Sequence, residues 1–257
     1  MDVTVGQVMS SRMLANPIKE LDAYPITDGA CAMILAVEGK AKKWARNPAW
    51  ITGIASRLDS FYLGDRDLAE VASLKAAAKK ALQRELDLQE DKDLLLAGVV
   101  SRLDQQKGLD ILYKVMPECL EKIQFVVLGS GDPGLSEAFA NLAGAEPKKI
   151  FFEAGFHEKL AHRIYAAADI FVMPSRFEPC GLSQMIAMRY GALPVVTRTG
   201  GLKDTLYYNG EPKDSNGFAI DNADEGELKS VLGHILLLYG WRENWNLMVA
   251  NAMKTDF

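Results

Sequence analysis

The sequence predicts an α/β fold: a parallel sheet with helices on both faces, preceded by a small α/β segment. Three observations predict it. From about residue 83, short apolar runs alternate with helical patterns. Those runs are continuously apolar, as strands covered on both faces require. The composition is that of an ordinary globular protein, with 257 residues, 49% of them apolar and 25% charged.

The first block, residues 1–82, is the less regular. VTVGQVM is ambiguous, and Thr27-Asp28-Gly29 marks a turn. The apolar run 30–37 is short enough for a buried strand, although its Ala and Met also suit a helix. EGKAKKWARNP reads as a short amphipathic helix ended near Pro48, and AWITGIASRLDSF as a second strand. Asp67 is placed to cap a helix over 68–86, rich in Ala, Leu, Lys and Glu.

The second block, 83–257, is a regular alternation. Strands are expected at 94–101, 123–131, 149–155, 169–175 and 192–198, with GFAI as a short addition. Helices are expected between them, including one over 181–190, and two amphipathic helices close the chain. Crossovers between parallel strands should be right-handed. No low-complexity linker separates the blocks, so the boundary falls inside or just after the helix ending near residue 86. SRLD occurs at 56–59 and 101–104, but the continuations differ and the repeat reads as chance.

Net charge is −5, which gives the chain as a whole no electrostatic footprint for nucleic acid. No apolar run approaches the roughly 18 residues of a membrane span. The N-terminus carries an early acid and no apolar signal core, so a reducing cytoplasm is the expected setting. Cys31, Cys119 and Cys180 are too few and too scattered for a disulfide framework or a zinc cluster.

Ligands of open α/β sheets gather at the carboxyl ends of strands. After the first strand of the second block come Arg102 and Lys107, two cations ahead of Gly108 and a helix start. Such a set suits a pyrophosphate, or is an ordinary solvated loop. Gly129-Ser130-Gly131 matches no full dinucleotide pattern. His157 reads as a helix-cap or packing residue before a catalytic base. Tyr165 either packs in the core or stacks on a base.

The loop 174–181 holds one carboxylate, Glu178, stiffened by Pro174 and Pro179. Backbone N–H groups of Cys180, Gly181 and Leu182 stand beside it in sequence. That pairing can hold sugar hydroxyls and oppose the positive charge that glycosyl transfer develops at a sugar carbon. The bland alternative is a helix-proximal acid. After the last long strand, Thr199, Gly200 and Gly201 offer a hydroxyl and a closely approachable backbone.

The stretches GVVSRLDQQKGLDIL, HRIYAAADIFVMPSRFEPCGLSQMIAMRYGALPVV and TRTGGLKDTL resemble the glycogen/starch synthase family. NAMKTDF resembles that family's closing segment. The resemblance runs from about residue 83 to the end. It implies the C-terminal, nucleotide-sugar-binding half of a GT-B enzyme, in which two Rossmann-like domains enclose the active site. By position it makes Glu178 the catalytic-site glutamate and Arg102 and Lys107 the donor-phosphate cations. Thr199, Gly200 and Gly201 become the donor-phosphate loop, Cys180, Gly181 and Leu182 the donor-sugar loop, and Tyr165 a base contact.

The implied reaction is retaining transfer of glucose from ADP-glucose or UDP-glucose to an α-1,4-glucan. It needs no metal and no cofactor beyond the nucleotide-sugar substrate. Related retaining enzymes carry a second Glu eight positions after the first; here that position is Ile186, as is common among the synthases. The family's N-terminal Lys-x-Gly-Gly-Leu loop is not found, so the α-glucan would be used only with a complementary domain.

Residues 1–82, through NPIKELDAYPITDGACAMILAVEGKAKKW, PAWITGIA and DS, instead resemble the middle of the thiolase family. The thiolase nucleophile and distal His and Cys motifs are missing, so a CoA-dependent acyltransferase fits poorly. The chain therefore reads as a chimera of a thiolase-like fragment, 1–82, and a synthase half, 83–257. The alternative is a non-catalytic nucleotide-binding or structural module in which the first block caps the sheet.

Overall fold

The structure is a computed structural model that describes residues 13–15, 18–19 and 68–256. The chain divides into two compact units, Met1–Arg57 and Leu58–Phe257. In the first, β1 (Met13–Ala15) pairs antiparallel with β2 (Ile18–Lys19). The expected turn at 27–29, the run 30–37, the helix 38–48, the strand 49–61 and Cys31 lie outside the described residues. So does most of the thiolase-like stretch.

The second unit is built on six parallel strands. They are β3 (Leu95–Val100), β4 (Ile123–Gly129), β5 (Ile150–Ala154), β6 (Ile170–Met173), β7 (Leu193–Thr197) and β8 (Phe218–Ile220). GFAI thus supplies a sixth strand. The helices are α1 (Leu68–Glu85), α2 (Leu109–Cys119), α3 (Pro133–Ala145), α4 (Glu158–Ala167), α5 (Ser183–Arg189), α6 (Leu202–Thr205), α7 (Glu225–Gly240) and α8 (Arg242–Lys254). Observed strands are one or two residues shorter at their ends than the apolar runs suggest, because the ladder stops where the chain turns into the loops.

Every residue of β4 and of β7 is buried, as continuous apolar runs demand. Alternate residues feed opposite faces. On β6, Ile170 joins a core with Leu112, Phe125, Phe139 and Trp245 under α2, α3, α7 and α8. Its neighbour Phe171 joins Leu82, Leu96 and Ile164 under α1 and α4. Local signals start the helices: Asp132 accepts from Leu135 N at 2.8 Å with Pro133 following, and Asp224 accepts from Glu227 N at 3.0 Å.

Strand order is β5-β4-β3-β6-β7-β8. The chain works outward from β3 on one side and then returns to β6 on the other, so the order reverses between β3 and β6. These two strands share the register pairs Ala97↔Ile170 and Gly98↔Phe171. Their carboxyl-terminal residues, Val100 and Met173, extend past that pairing and open a crevice.

Helix α1 runs through residue 82, where the sequence places the boundary between blocks. It is tied to the amino edge of the sheet. Lys79 Nζ lies 2.7 Å from Asp169 Oδ2 and 3.0 Å from Tyr239 Oη, and Asp169 also accepts from Leu96 N at 2.8 Å. Burial alone would lower the Lys79 pKa, but the Asp169 charge and the Asp169 and Tyr239 hydrogen bonds outweigh it and hold the ammonium above its ordinary value. Among the described residues, no helix is long and apolar enough to cross a membrane.

Candidate functional site

A cleft of about 200 Å³ opens between the carboxyl ends of β3 and β6, where Arg102, Lys107, Ser175, Glu178 and Gly181 converge. Three loops build it. The first follows β3. The Asp104 carboxylate accepts from Lys107 N at 2.9 Å and closes a single 3-10 turn over Gln105–Lys107. Gly108 then adopts φ 66°, and a Cβ there would sit 1.9 Å from Pro174 O. Only glycine fits, and its fit seats the first loop on the second.

The second loop follows β6 and is clamped to the first by polar contacts. The Arg176 guanidinium forks onto Asp110, with Nη1 2.6 Å from Oδ1 and Nη2 2.8 Å from Oδ2. Arg176 N donates to Gln106 O at 2.8 Å, and Gln106 Nε2 donates to Phe177 O at 3.1 Å. The hydrogen bonds from Arg176 hold the Asp110 carboxyl below the usual carboxylate range.

This clamp carries Glu178 to Lys107. Lys107 Nζ lies 2.5 Å from Glu178 Oε2, with only 17% and 10% of the two side chains exposed. Ser175 Oγ is 3.5 Å from the same oxygen. Beyond Glu178, Gly181 turns with φ 76°, and the fully buried Gln184 donates to Gly181 O at 2.9 Å. The N–H groups of Cys180, Gly181 and Leu182 have no acceptor among the described residues. The Cys180 thiol is free and exposed, and Leu182 is exposed beside it.

The third loop, Thr199 to Gly201, meets the second backbone to backbone. Gly201 N donates to Glu178 O at 3.1 Å, and a Cβ on Gly200 would lie 1.9 Å from that oxygen. The close approach expected of these glycines is made to the Glu178 loop, and none of the three residues lines the cleft.

Arg102 reaches the cleft but is exposed, and its Nη1 lies 2.9 Å from Asp104 Oδ2. Tyr165 is not in the cleft. It is buried against Phe171, ring centroids 4.9 Å apart, which is the packing reading of that residue. His157 occupies the first position before α4 without a side-chain cap, 3.5 Å from Glu153. Asp110, Gln106, Arg176, Ser175 and Gln184 were not singled out from sequence. For Gln106, Arg176 and Asp110 the partners lie 66 to 71 positions away, beyond any spacing rule, whereas Ser175 and Gln184 meet residues three positions off but turn inward only through the loop's fold.

A larger cavity, about 710 Å³, lies at the opposite, amino-terminal edge around Lys79, Asp169 and Trp245. In it Lys79 and Asp169 are consumed by the pair that fixes α1, and Lys75, whose pKa burial lowers to about 7, donates to Tyr190 O at 3.1 Å, whereas the smaller cleft collects glycine turns, a carboxylate and cations at the strand ends. A buried carboxylate, the cation paired with it and N–H groups without an acceptor among the described residues can together hold a polyol and an anionic leaving group.

A family profile described as "Glycosyl transferases group 1" matches residues 94–237. A glycogen synthase of Elusimicrobium minutum is 47% identical over 184 residues, 71% of this chain and 38% of its own length. A glycogen synthase of Geotalea daltonii is 45% identical over 185 residues, 71% of this chain and 38% of its own length. The catalytic domain of starch synthase IV from Arabidopsis thaliana, bound to ADP and acarbose, superposes with a TM-score of 0.67 at 35% identity. That match covers 71% of this chain and 39% of the plant domain. The chain thus spans about two-fifths of the length of the relatives it matches.

Proposed function

Because the chain belongs to the glycosyl transferases group 1 family, we propose that residues 83–257 are the donor half of a glycogen/starch synthase-like glucosyltransferase. The observation that carries the reading is the meeting of Lys107 and Glu178 at 2.5 Å across the crevice between β3 and β6. In this reading Lys107 and Arg102 take the diphosphate of ADP-glucose or UDP-glucose. The N–H groups of Cys180, Gly181 and Leu182, with Glu178, take the glucose hydroxyls.

Glu178 also faces the sugar carbon as the bond to phosphate breaks, and its negative charge opposes the oxocarbenium-like charge that develops there. The Thr199-Gly200-Gly201 turn acts by supporting the Glu178 loop and bordering the phosphate side. Tyr165 stays in the core and has no base contact in this scheme. The glucose acceptor is an α-1,4-glucan, bound by a complementary domain, and the setting is the cytoplasm expected from the sequence. ADP-glucose is the first donor to test, since the plant neighbour is bound to ADP.

The experiment is a glucosyl-transfer assay with ADP-glucose or UDP-glucose and glycogen, run beside a thermal-shift titration. Stabilisation by the nucleotide sugar with no turnover is the result expected of a donor half alone, because proximity and orientation to the acceptor supply much of such catalysis. Turnover that disappears in Glu178→Gln would give the chain a working acceptor site and exclude the purely structural module. No stabilisation at millimolar nucleotide sugar would reject the donor-site assignment.

A further inference from the structure

Both cations assigned to the phosphates hold carboxylates at the cleft, and the two pairs differ in kind. Arg102 and Asp104 are exposed, 67% and 30%, so solvent screens the pair and it costs little to break. Lys107 and Glu178 are largely withdrawn from water, 17% and 10% exposed. Drawing Lys107 onto a phosphate there strands a carboxylate with little water to solvate it, which is the costly way to break an ion pair. Within hydrogen-bond range of Glu178, among the described residues, only Ser175 Oγ at 3.5 Å is left, too long to compensate. The backbone that carries this carboxylate is fixed at the third loop. Gly201 N donates to Glu178 O at 3.1 Å, and Gly200 packs against the same oxygen. With its backbone fixed there and its side chain only 10% exposed, Glu178 has little water within reach when it loses Lys107.

We infer that the Lys107–Glu178 pair makes this cleft select a nucleoside diphosphate that carries a sugar over one that does not. The inference rests on the donor-site reading and deepens it. A bare diphosphate takes Lys107 and offers Glu178 nothing, since its groups near the carboxylate are themselves anionic. A sugar diphosphate takes Lys107 and returns hydroxyl donors to Glu178, so the lost ion pair is replaced by hydrogen bonds to the charged oxygen. Glu178 thus disfavours the product diphosphate and favours the loaded donor, through the same two oxygens. A residue that only touched sugar would leave affinity for the bare diphosphate unchanged on removal; a residue that competes for Lys107 raises it.

The test is calorimetric titration of ADP and of ADP-glucose into wild type, Glu178→Gln, Glu178→Ala and Glu178→Gln/Lys107→Ala, with thermal melts to show that each variant is folded. The expected result is ADP binding about tenfold tighter in Glu178→Gln and in Glu178→Ala, the scale of one charge-assisted hydrogen bond restored to Lys107. The ratio of ADP-glucose to ADP affinity should collapse toward one, and the gain in ADP affinity should vanish when Lys107 is also removed. ADP affinity that is unchanged or weaker in the folded Glu178 variant, with wild type binding ADP, overturns the inference and leaves the donor site standing. Absence of ADP and ADP-glucose binding in wild type and in both Glu178 variants overturns the donor-site reading and the inference with it. If Glu178→Gln fails to fold, the same comparison in Glu178→Ala decides.

Discussion

Gly108 shows how one atom can matter at the residue scale. Its φ of 66° and the 1.9 Å gap from an added Cβ to Pro174 O leave no room for alanine. Gly108→Ala should destabilise the unit by about 2 kcal/mol or more, read from the urea midpoint, and should loosen the cleft. Lys107, Arg102 and Glu178 were legible in the sequence because each lies a few residues past an apolar strand, where ligands of such sheets bind. That Lys107 and Glu178 touch was not legible, since they are 71 positions apart and meet only when β3 and β6 become neighbours. Tyr165 shows the limit from the other side. A tyrosine on an Ala-rich helix suits packing and stacking equally well in sequence, and the ring lies in the core against Phe171.

At the scale of elements, the two loops at the crevice are held together by Arg176 and Asp110. A double-mutant cycle of Arg176→Ala and Asp110→Ala should give a coupling of about 1 kcal/mol in stability, the value expected of a partly exposed forked pair. The sign of its pH dependence follows from the Asp110 shift. The folded carboxyl titrates below its unfolded value, so the stabilisation is complete above the unfolded pKa and is lost as pH falls through the folded one. Acid unfolding of Asp110→Asn should therefore depend less on pH in the window below about 4 than that of wild type.

At the other edge of the sheet, Lys79→Met would leave Asp169 buried without its cation. The expected loss is about 3–5 kcal/mol, and a variant with both groups replaced by apolar residues should lose less, both read by chemical denaturation. The strands were legible because buried parallel strands are continuous apolar runs. Their order was not, since β3 to β8 could be arranged in several ways until the β3–β6 pairing is seen. The attachment of α1 was hidden too, because Lys79 is one of several lysines on that helix and nothing in the local sequence sets it apart.

For the whole molecule, the residues that converge do so on one side of one sheet. Glu178, Lys107, Arg102, Gly181 and Leu182 form a wall of a cleft, and the chain spans 38% of the glycogen synthases it matches. Donor recognition at this cleft is therefore separable from glucan synthesis and is tested as binding. Calorimetric titration of ADP-glucose into the wild-type chain and into Lys107→Ala is the most direct measurement. Wild type should show saturable one-site binding and a folded Lys107→Ala an affinity at least about tenfold weaker, the loss of one buried cation from a diphosphate. Equal affinities, or no binding to wild type at millimolar ADP-glucose, would rule out donor binding through Lys107 at this cleft.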